Sequence, residues 1–318
     1  MKINIGIVGY GNLGKAVEHE VLKNPKFKLV AIFSRRTVKS KFDTLIEPFD
    51  NYVLYKNKID VMMLCGSSIY DLEEQTTTLA KHFNVINTFD IHQKIKTEQQ
   101  KLDEICKNNK TISILSCGWD PGIFSIVRTL FFAISKTEPL TFWGKGISMG
   151  HSDAIRHVFG VDDGIQLTVP NKQAIKLAKQ GKLSNNTHKH FRECFIVSHD
   201  TNKPKIENTI KNIPNYFKNQ PTSVSFVNQQ TLNKMKKNLS HKGEIISYFN
   251  NTHKHFHIMN FSVKMNSNPY FTAKIMLAYT KAIINLKNKQ QHGCFTPLDI
   301  PISWLFFENE KNIYEKLF

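Results

Sequence analysis

The sequence predicts an α/β chain in which a doubly wound parallel sheet is followed by a mixed α+β domain. Three observations carry this. From residue 1 to 118, short apolar runs alternate with segments of helical periodicity, the pattern of parallel strands joined by crossover helices. The first apolar run ends in the glycine turn Gly9-Tyr10-Gly11-Asn12-Leu13-Gly14. From 119 to 289 the texture changes to longer strands, glycine loops and polar helices.

Ile3-Asn4-Ile5-Gly6-Ile7-Val8 reads as a buried parallel strand, and Lys15 to Leu22 has helical periodicity. In the turn between them, the first glycine permits the tight bend and the second lets the backbone approach a pyrophosphate. The third lets helix and strand pack closely, with phosphates held at the helix N-terminus. Strand, glycines and helix in this order form a dinucleotide fingerprint, so the domain is of the Rossmann type. A second strand, Lys28 to Phe33, ends where a carboxylate would grip a ribose 2′-hydroxyl. The chain instead reads Ser34-Arg35-Arg36-Thr37, two guanidinium forks and two hydroxyls that suit a 2′-phosphate. The alternative is a solvated Arg pair at a strand end. The position is the one that selects between the cofactors, so NADP rather than NAD is expected.

A short polar link leads to the buried strand Ile59–Leu64, which ends in Cys65-Gly66-Ser67-Ser68. Small residues at a strand C-terminus belong either to cofactor contact or to an ordinary strand-to-helix turn capped by Ser68 or Asp71. A helix from Leu72 to Phe83, a strand from Asn84 towards Asp90, a polar helix from Lys94 to Asn108 and a strand from Thr111 to Ser116 follow. The last runs into Cys117-Gly118-Trp119-Asp120-Pro121-Gly122 and an apolar helix from Ile123. In the second half, Thr141-Phe142-Trp143 breaks into a glycine loop before a helix with Ser152 or Asp153 as its cap. Strands are expected at 193–199, 222–227, 244–249 and 255–265, with helices near 171–180 and 204–217. A strongly apolar helix spans Phe271–Lys289, and a final one near 308–317 lies in a C-terminal segment, about 290–318, expected to pack back on the first domain.

Composition narrows the functional classes. With 318 residues, two domains are the natural division. The strand begins at once, leaving no room for a signal peptide, and no apolar run approaches bilayer-spanning length, so a cytoplasmic protein is expected. Five scattered cysteines without a C-x-x-C pair give neither a disulfide framework nor a zinc site. The net charge of +17 is spread along the chain without a basic arm, and the aromatic residues sit in apolar runs, so no nucleic-acid partner is expected. A basic surface still attracts an anionic cofactor and a dicarboxylate. His253, His255 and His257 alternate along one strand face, but without further ligands at matching positions a solvated face is favoured over a metal site.

Two strand-end carboxylates, Asp90 and Asp120, lie where a nicotinamide would sit. Each either binds a substrate ammonium or accepts a proton as an amine carbon is oxidised, unless it is a turn-forming Asx residue.

Taken together, Val8–Gly14, Ile32–Arg36, Gly118–Gly122, Phe142-Trp143-Gly144, Gly150–Ala154, Thr187-His188-Lys189 and Asn268-Pro269 resemble the meso-diaminopimelate D-dehydrogenases over nearly the whole chain. The resemblance implies a homodimer that oxidatively deaminates the D-centre of meso-2,6-diaminopimelate with NADP. The products would be ammonia and L-2-amino-6-oxopimelate, which cyclises to tetrahydrodipicolinate in lysine and peptidoglycan biosynthesis. It implies cofactor contacts from Gly9, Tyr10, Gly11, Asn12, Leu13, Ser34, Arg35, Arg36, Cys65, Gly66, Ser67, Gly118, Trp119, Asp120, Pro121 and Gly122. Substrate contacts are implied for Asp90, Asp120, Trp143, Met149, Gly150, Thr168, Arg192, His241 and Asn268. Arg192, Thr168, His241 and Asn268 offer donors for a distal carboxylate, while Asp90 and Asp120 face the reacting amine. The general base is Asp90, Asp120 or a bound water. The chain departs from the family pattern at Gly66-Ser67-Ser68, at Lys242 after His241, and in extra residues between Lys189 and Arg192. The competing readings are an NADPH-dependent reductase of the dihydrodipicolinate or semialdehyde type and a non-catalytic NADPH-binding sensor.

Overall fold

The computed structural model describes residues 2–214, 216–237, 240–252, 255–307 and 310–317, with side chains for all but 251–252 and 310–313. It divides into two compact units, Met1–Ile126 with Asn268–Phe318, and Val127–Ser267.

The first unit opens with β1 (Ile3–Val8), α1 (Asn12–Lys23), β2 (Phe27–Ser34) and β3 (Ile46–Pro48). It continues with β4 (Val61–Leu64), α2 (Leu72–Leu79), β5 (Asn84–Asn87), α3 (Ile95–Asn109) and β6 (Ile112–Ile114). Helix α4 (Ile123–Ser135) then carries the chain into the second unit. That unit comprises β7 (Leu140–Trp143), β8 (Gly146–Ile147), α5 (Met149–Arg156), β9 (Val161–Pro170), α6 (Lys172–Lys179) and β10 (His190–Ser198). It ends with α7 (Lys203–Lys211), β11 (Thr222–Phe226), α8 (Gln229–Lys237), β12 (His241–Thr252) and β13 (His255–Met265). The chain returns to the first unit through α9 (Asn268–Asn288), β14 (Gly293–Phe295) and α10 (Glu310–Leu317).

The first unit's sheet has the order β14-β6-β5-β4-β1-β2-β3, parallel at every pairing. The order reverses between β1 and β4, which places a ligand-binding crevice at their C-terminal ends. Both faces are covered, so the strands are apolar along their whole length; β4 reads Val-Met-Met-Leu and is fully buried. One core packs Ile5, Ile7, Val17 and Val21 against Met276, Tyr279 and Ile283 of α9. The sequence reading places that apolar helix in the second domain. It belongs to the first because its buried face matches the open face of the sheet.

The second unit holds two sheets. In one, β8, β9 and β10 are antiparallel and β11 joins β10 in parallel. In the other, β12 pairs antiparallel with both β13 and β7. Strand β9 is absent from the sequence reading because Asp162-Asp163-Gly164 breaks its apolar pattern, although Gly164 to Thr168 are buried. Helix α5 begins earlier than expected. Its N-cap position is Ser148, while Ser152 is buried inside the helix and donates to the Ser148 carbonyl at 2.6 Å. Among the described residues no helix is long and apolar enough to cross a membrane.

The approach of α1 to the end of β1 leaves no room for a side chain. A β-carbon at Gly14 would stand 2.1 Å from the Gly9 carbonyl oxygen. Gly14→Ala is expected to cost about 2–4 kcal/mol, through backbone displacement in a packed interior. A denaturant titration followed by circular dichroism measures it, and a shift below about 0.5 kcal/mol would contradict the packing argument.

Candidate active site

The glycine turn is held rigid from beneath. Gly9 has φ +88° and donates its N–H to the Phe33 carbonyl at 2.9 Å. Gly11 is the N-cap of α1, and nothing lies within 4 Å of where its side chain would stand. The N-terminus of α1 therefore has no side-chain cap and open space at Gly11, which suits a pyrophosphate. The Tyr10 side chain turns away from that opening. It is buried, and its hydroxyl donates to Glu18 Oε2 at 2.5 Å.

Ser40 Oγ donates to Glu18 Oε1, also at 2.5 Å, and itself accepts the Phe42 and Thr44 N–H groups. Burial and the Glu18 carboxylate raise the Tyr10 hydroxyl above its ordinary pKa. Glu18, with no solvent exposure, thus binds the segment after the Arg pair to the glycine turn. Sequence reasoning missed it. The signal was spacing: Gly14, Val17, Glu18 and Val21 share one buried helix face.

At the end of β2 the Ser34 hydroxyl closes a local turn, accepting from Arg36 N and donating to Arg36 O. Arg35 pairs with Asp71, whereas Arg36 is exposed and has no ion-pair partner among the described residues. Ser34 and Arg35 line a cleft of about 380 Å³ with Phe49, Gln75 and two carboxylates, Asp50 and Glu74. Across the switch point, Cys65 N–H donates to the Val8 carbonyl at 2.8 Å, setting the Cys65–Ser67 turn beside Gly9. Burial drives the Cys65 thiol far above its usual range, so it stays protonated and is no nucleophile.

Asp90 is exposed beyond β5, its N–H donating to Ser68 Oγ. Asp120 is half-buried in the turn formed by the Gly118–Gly122 bridge, where a β-carbon at Gly122 would lie 1.9 Å from the Gly118 oxygen. Trp119 packs edge-on against Phe124 at 5.1 Å. One side chain registers both carboxylate loops. The fully buried Asn87 accepts from Phe89 N and Ser116 N through Oδ1, and donates to Thr76 Oγ1 through Nδ2.

In the second unit the structure gathers Trp143, Thr168, Arg192 and His241. Arg192 lies opposite Thr168 in the β9–β10 register and donates to its Oγ1 at 2.9 Å. Gly144, just after Trp143, touches the Thr168 backbone: a β-carbon there would stand 2.0 Å from the carbonyl oxygen. His241 Nδ1 lies 3.1 Å from the corresponding position at Gly146.

Met149 and Gly150 open α5, beside β9 through the bond from Ser148 N to Gln166 O. Gly150 is near the Tyr216 ring, and Met149 is exposed. Asn268 opens α9 in the other unit, where its Oδ1 accepts from Thr272 Oγ1 at 2.9 Å.

Two histidines outside the predicted set frame this group. His190 Nε2 accepts the Trp143 N–H at 2.8 Å, and its ring stacks on the indole. His151 is wedged edge-on against Tyr216 and Phe217. Burial, reinforced by the Arg192 charge, lowers each to about 3, and burial lowers His241 as well. The imidazoles are therefore neutral near pH 7, and Arg192 is the charged group among them. Its Nε is buried with no hydrogen-bond partner, and no carboxylate among the described residues pairs with it. A desolvated guanidinium with free N–H groups is built to receive an anion.

Of the three alternating histidines, His253 lies outside the described residues. His255 and His257 are exposed on β13. No group of three or more His, Cys, Asp or Glu side chains that could hold a metal ion occurs among the described residues.

A dinucleotide-type sheet with an Arg pair after β2, joined to a separate sheet domain, defines a two-unit oxidoreductase of the nicotinamide class. Residues 118–267 match the family model for the diaminopimelic acid dehydrogenase C-terminal domain. The meso-diaminopimelate D-dehydrogenase of Acetivibrio thermocellus is 41% identical, covering 96% of this chain and 94% of its own. That of Ureibacillus thermosphaericus is 38% identical, covering 99% of both. The Corynebacterium glutamicum DAP dehydrogenase in complex with DAP superposes with TM-score 0.95, at 33% identity over 100% of this chain and 99% of that one. An engineered D-amino acid dehydrogenase bound to NADP+ superposes with TM-score 0.92, at 32% identity over the full length of both chains. The chain belongs to the meso-diaminopimelate D-dehydrogenase family.

The two buried imidazoles make stability pH-dependent. Their folded pKa values lie below the unfolded value of 6.5, so the unfolded chain binds more protons between about 6.5 and 3. Stability is retained above pH 6.5 and falls as pH drops through that window, by at most about 1.4 kcal/mol per pH unit for each group. Melting curves from pH 7.5 to 4 are expected to show this loss. A His190→Gln variant should show a shallower slope, and an unchanged slope would contradict the assignment.

Proposed function

We propose that this chain catalyses the NADP-dependent oxidative deamination of the D-centre of meso-2,6-diaminopimelate, giving L-2-amino-6-oxopimelate and ammonia. The observation that carries the substrate assignment is Arg192, a half-buried cation beside Thr168 whose Nε has no partner. A dicarboxylate neutralises it; a simple amino acid leaves it uncompensated. Family membership and the superposition on a relative bound to DAP support the same substrate.

The residues present fit the cofactor. Open space above Gly11 accommodates a pyrophosphate, and Arg35 and Arg36 supply donors for a 2′-phosphate. When bound, NADP accepts the hydride from the D-carbon. Asp90 and Asp120 hold the ammonium end and attract the proton it releases; a water adds to the resulting substrate imine, and ammonia leaves. In balance, the substrate ammonium, NADP+ and water yield the ketone, a free ammonium ion, NADPH and a proton. On this reading Arg192, Thr168, His241 and Asn268 donate to the distal carboxylate, and Trp143, Met149 and Gly150 are further substrate contacts.

The same reading includes a homodimer. Leu130, Phe132 and Ile134 on α4 and Phe256 and Ile258 on β13 are all exposed apolar side chains of the second unit. An apolar display of this kind marks an association surface. Sedimentation is expected to give twice the chain mass, and Phe132→Glu to shift it towards the monomer.

Spectrophotometric assay at alkaline pH is expected to show NADP reduction with meso-diaminopimelate, none with the L,L isomer and far less with NAD. Arg192→Met should raise KM for meso-diaminopimelate by about a hundredfold, the cost of removing one partner of a desolvated ion pair. No NADPH formed by protein that binds NADP would overturn the dehydrogenase assignment.

A further inference from the structure

Asp71 occupies the N-cap position of α2, where an aspartate ordinarily accepts from the first N–H groups of its own helix. Here its side chain makes no such bond. The carboxylate is turned back into the preceding loop instead. Oδ2 accepts the Ser67 N–H at 2.8 Å, and Oδ1 accepts from the Arg35 guanidinium. The loop is shaped for this. The Asp71 N–H donates to the Ser67 carbonyl at 2.9 Å, closing the turn. A β-carbon at Gly66 would stand 2.6 Å from Asp71 Cβ and 3.1 Å from its Oδ2, so only glycine lets the carboxylate approach. One carboxylate thus joins two segments far apart in sequence: the end of β2, which carries the Arg pair, and the Cys65–Ser67 turn after β4.

We propose that Asp71 is a positioning residue for cofactor selectivity, holding Arg35 at the rim of the cleft where a 2′-phosphate is read. The inference rests on the reading of Arg35 as a phosphate-binding group. A guanidinium has five N–H donors in a fixed plane; a carboxylate on one Nη leaves the others directed by that plane. Without Asp71, Arg35 is a half-solvated side chain whose ordering must be supplied by the ligand itself. Arg36, exposed and outside any ion pair among the described residues, has no such restraint. The two arginines therefore have separate roles, with Arg35 preset and Arg36 closing on the phosphate after it arrives.

Fluorescence titration of the full-length protein with NADPH and with NADH, without substrate and alongside melting temperatures, tests this. Asp71→Asn keeps an oxygen for the Ser67 N–H but cannot accept a charge-assisted bond from Arg35. It is expected to weaken NADPH binding about fivefold, in line with the loss of one largely exposed ion pair, and to leave NADH within about twofold. Asp71→Ala removes both bonds and should weaken both cofactors. In an Arg35→Ala background Asp71→Asn should have no further effect on NADPH.

Equal loss for the two cofactors, no loss, or tighter NADPH binding in Asp71→Asn would each overturn the proposal. Arg35→Ala separates the two layers. If it leaves the NADPH-to-NADH ratio unchanged, the phosphate reading of Arg35 fails and the proposal with it. If it collapses the ratio while Asp71→Asn does not, the positioning role alone fails.

Discussion

The close approach of two glycines sets the geometry on which the nucleotide half depends. Gly14 on α1 lies against the Gly9 carbonyl with no room for a methyl group. This contact brings the helix N-terminus over the end of β1, and Gly9 can then take its left-handed turn while bonded to Phe33 of the neighbouring strand. Everything charged in that region is arranged around the fixed point. Glu18 lies one turn further along the same helix and gathers Tyr10 and Ser40. The segment after the Arg pair is consequently tied to the glycine turn by buried hydrogen bonds, not by chain continuity alone.

The two units use charge in opposite ways. In the first, cations and carboxylates stand close together at strand ends, and Asp71 binds Arg35. In the second, the charge of Arg192 stands among imidazoles kept neutral by burial. The first arrangement suits a cofactor carrying several negative groups on flexible links, because neighbouring side chains hold the receiving ones in place. The second suits a carboxylate, whose arrival supplies the counter-charge the protein omits.

Local features were legible in the sequence, and features requiring distant partners were not. The glycine turn, the Arg pair and the strand ends could be read because each rests on contiguous residues with a fixed backbone meaning. Strand β3 went unseen: it is three residues long, ends in Pro48, and exists because it pairs with β2. Strand β9 hid behind Asp162 and Asp163. Helix α9 was visible as an apolar helix, but nothing in its own residues says which sheet it covers. In the second unit, Arg192 and Thr168 are read from family resemblance, whereas His151 stands in the Gly150–Ala154 motif without an assigned role and His190 lies outside the assigned site residues. Their significance comes from burial against Trp143, Tyr216 and Phe217, which no spacing along the chain encodes.

Asn87 carries a consequence for how such a chain can change over generations. Its one amide registers the loop leading to Asp90 with the loop leading to Asp120, using both of its polar atoms and no solvent. The positions of the two carboxylate loops are therefore coupled. A lineage that moved one loop to admit a different substrate would strand a buried donor or acceptor in the other. Substitution is freer outside this knot, as at the exposed Met149 that opens α5.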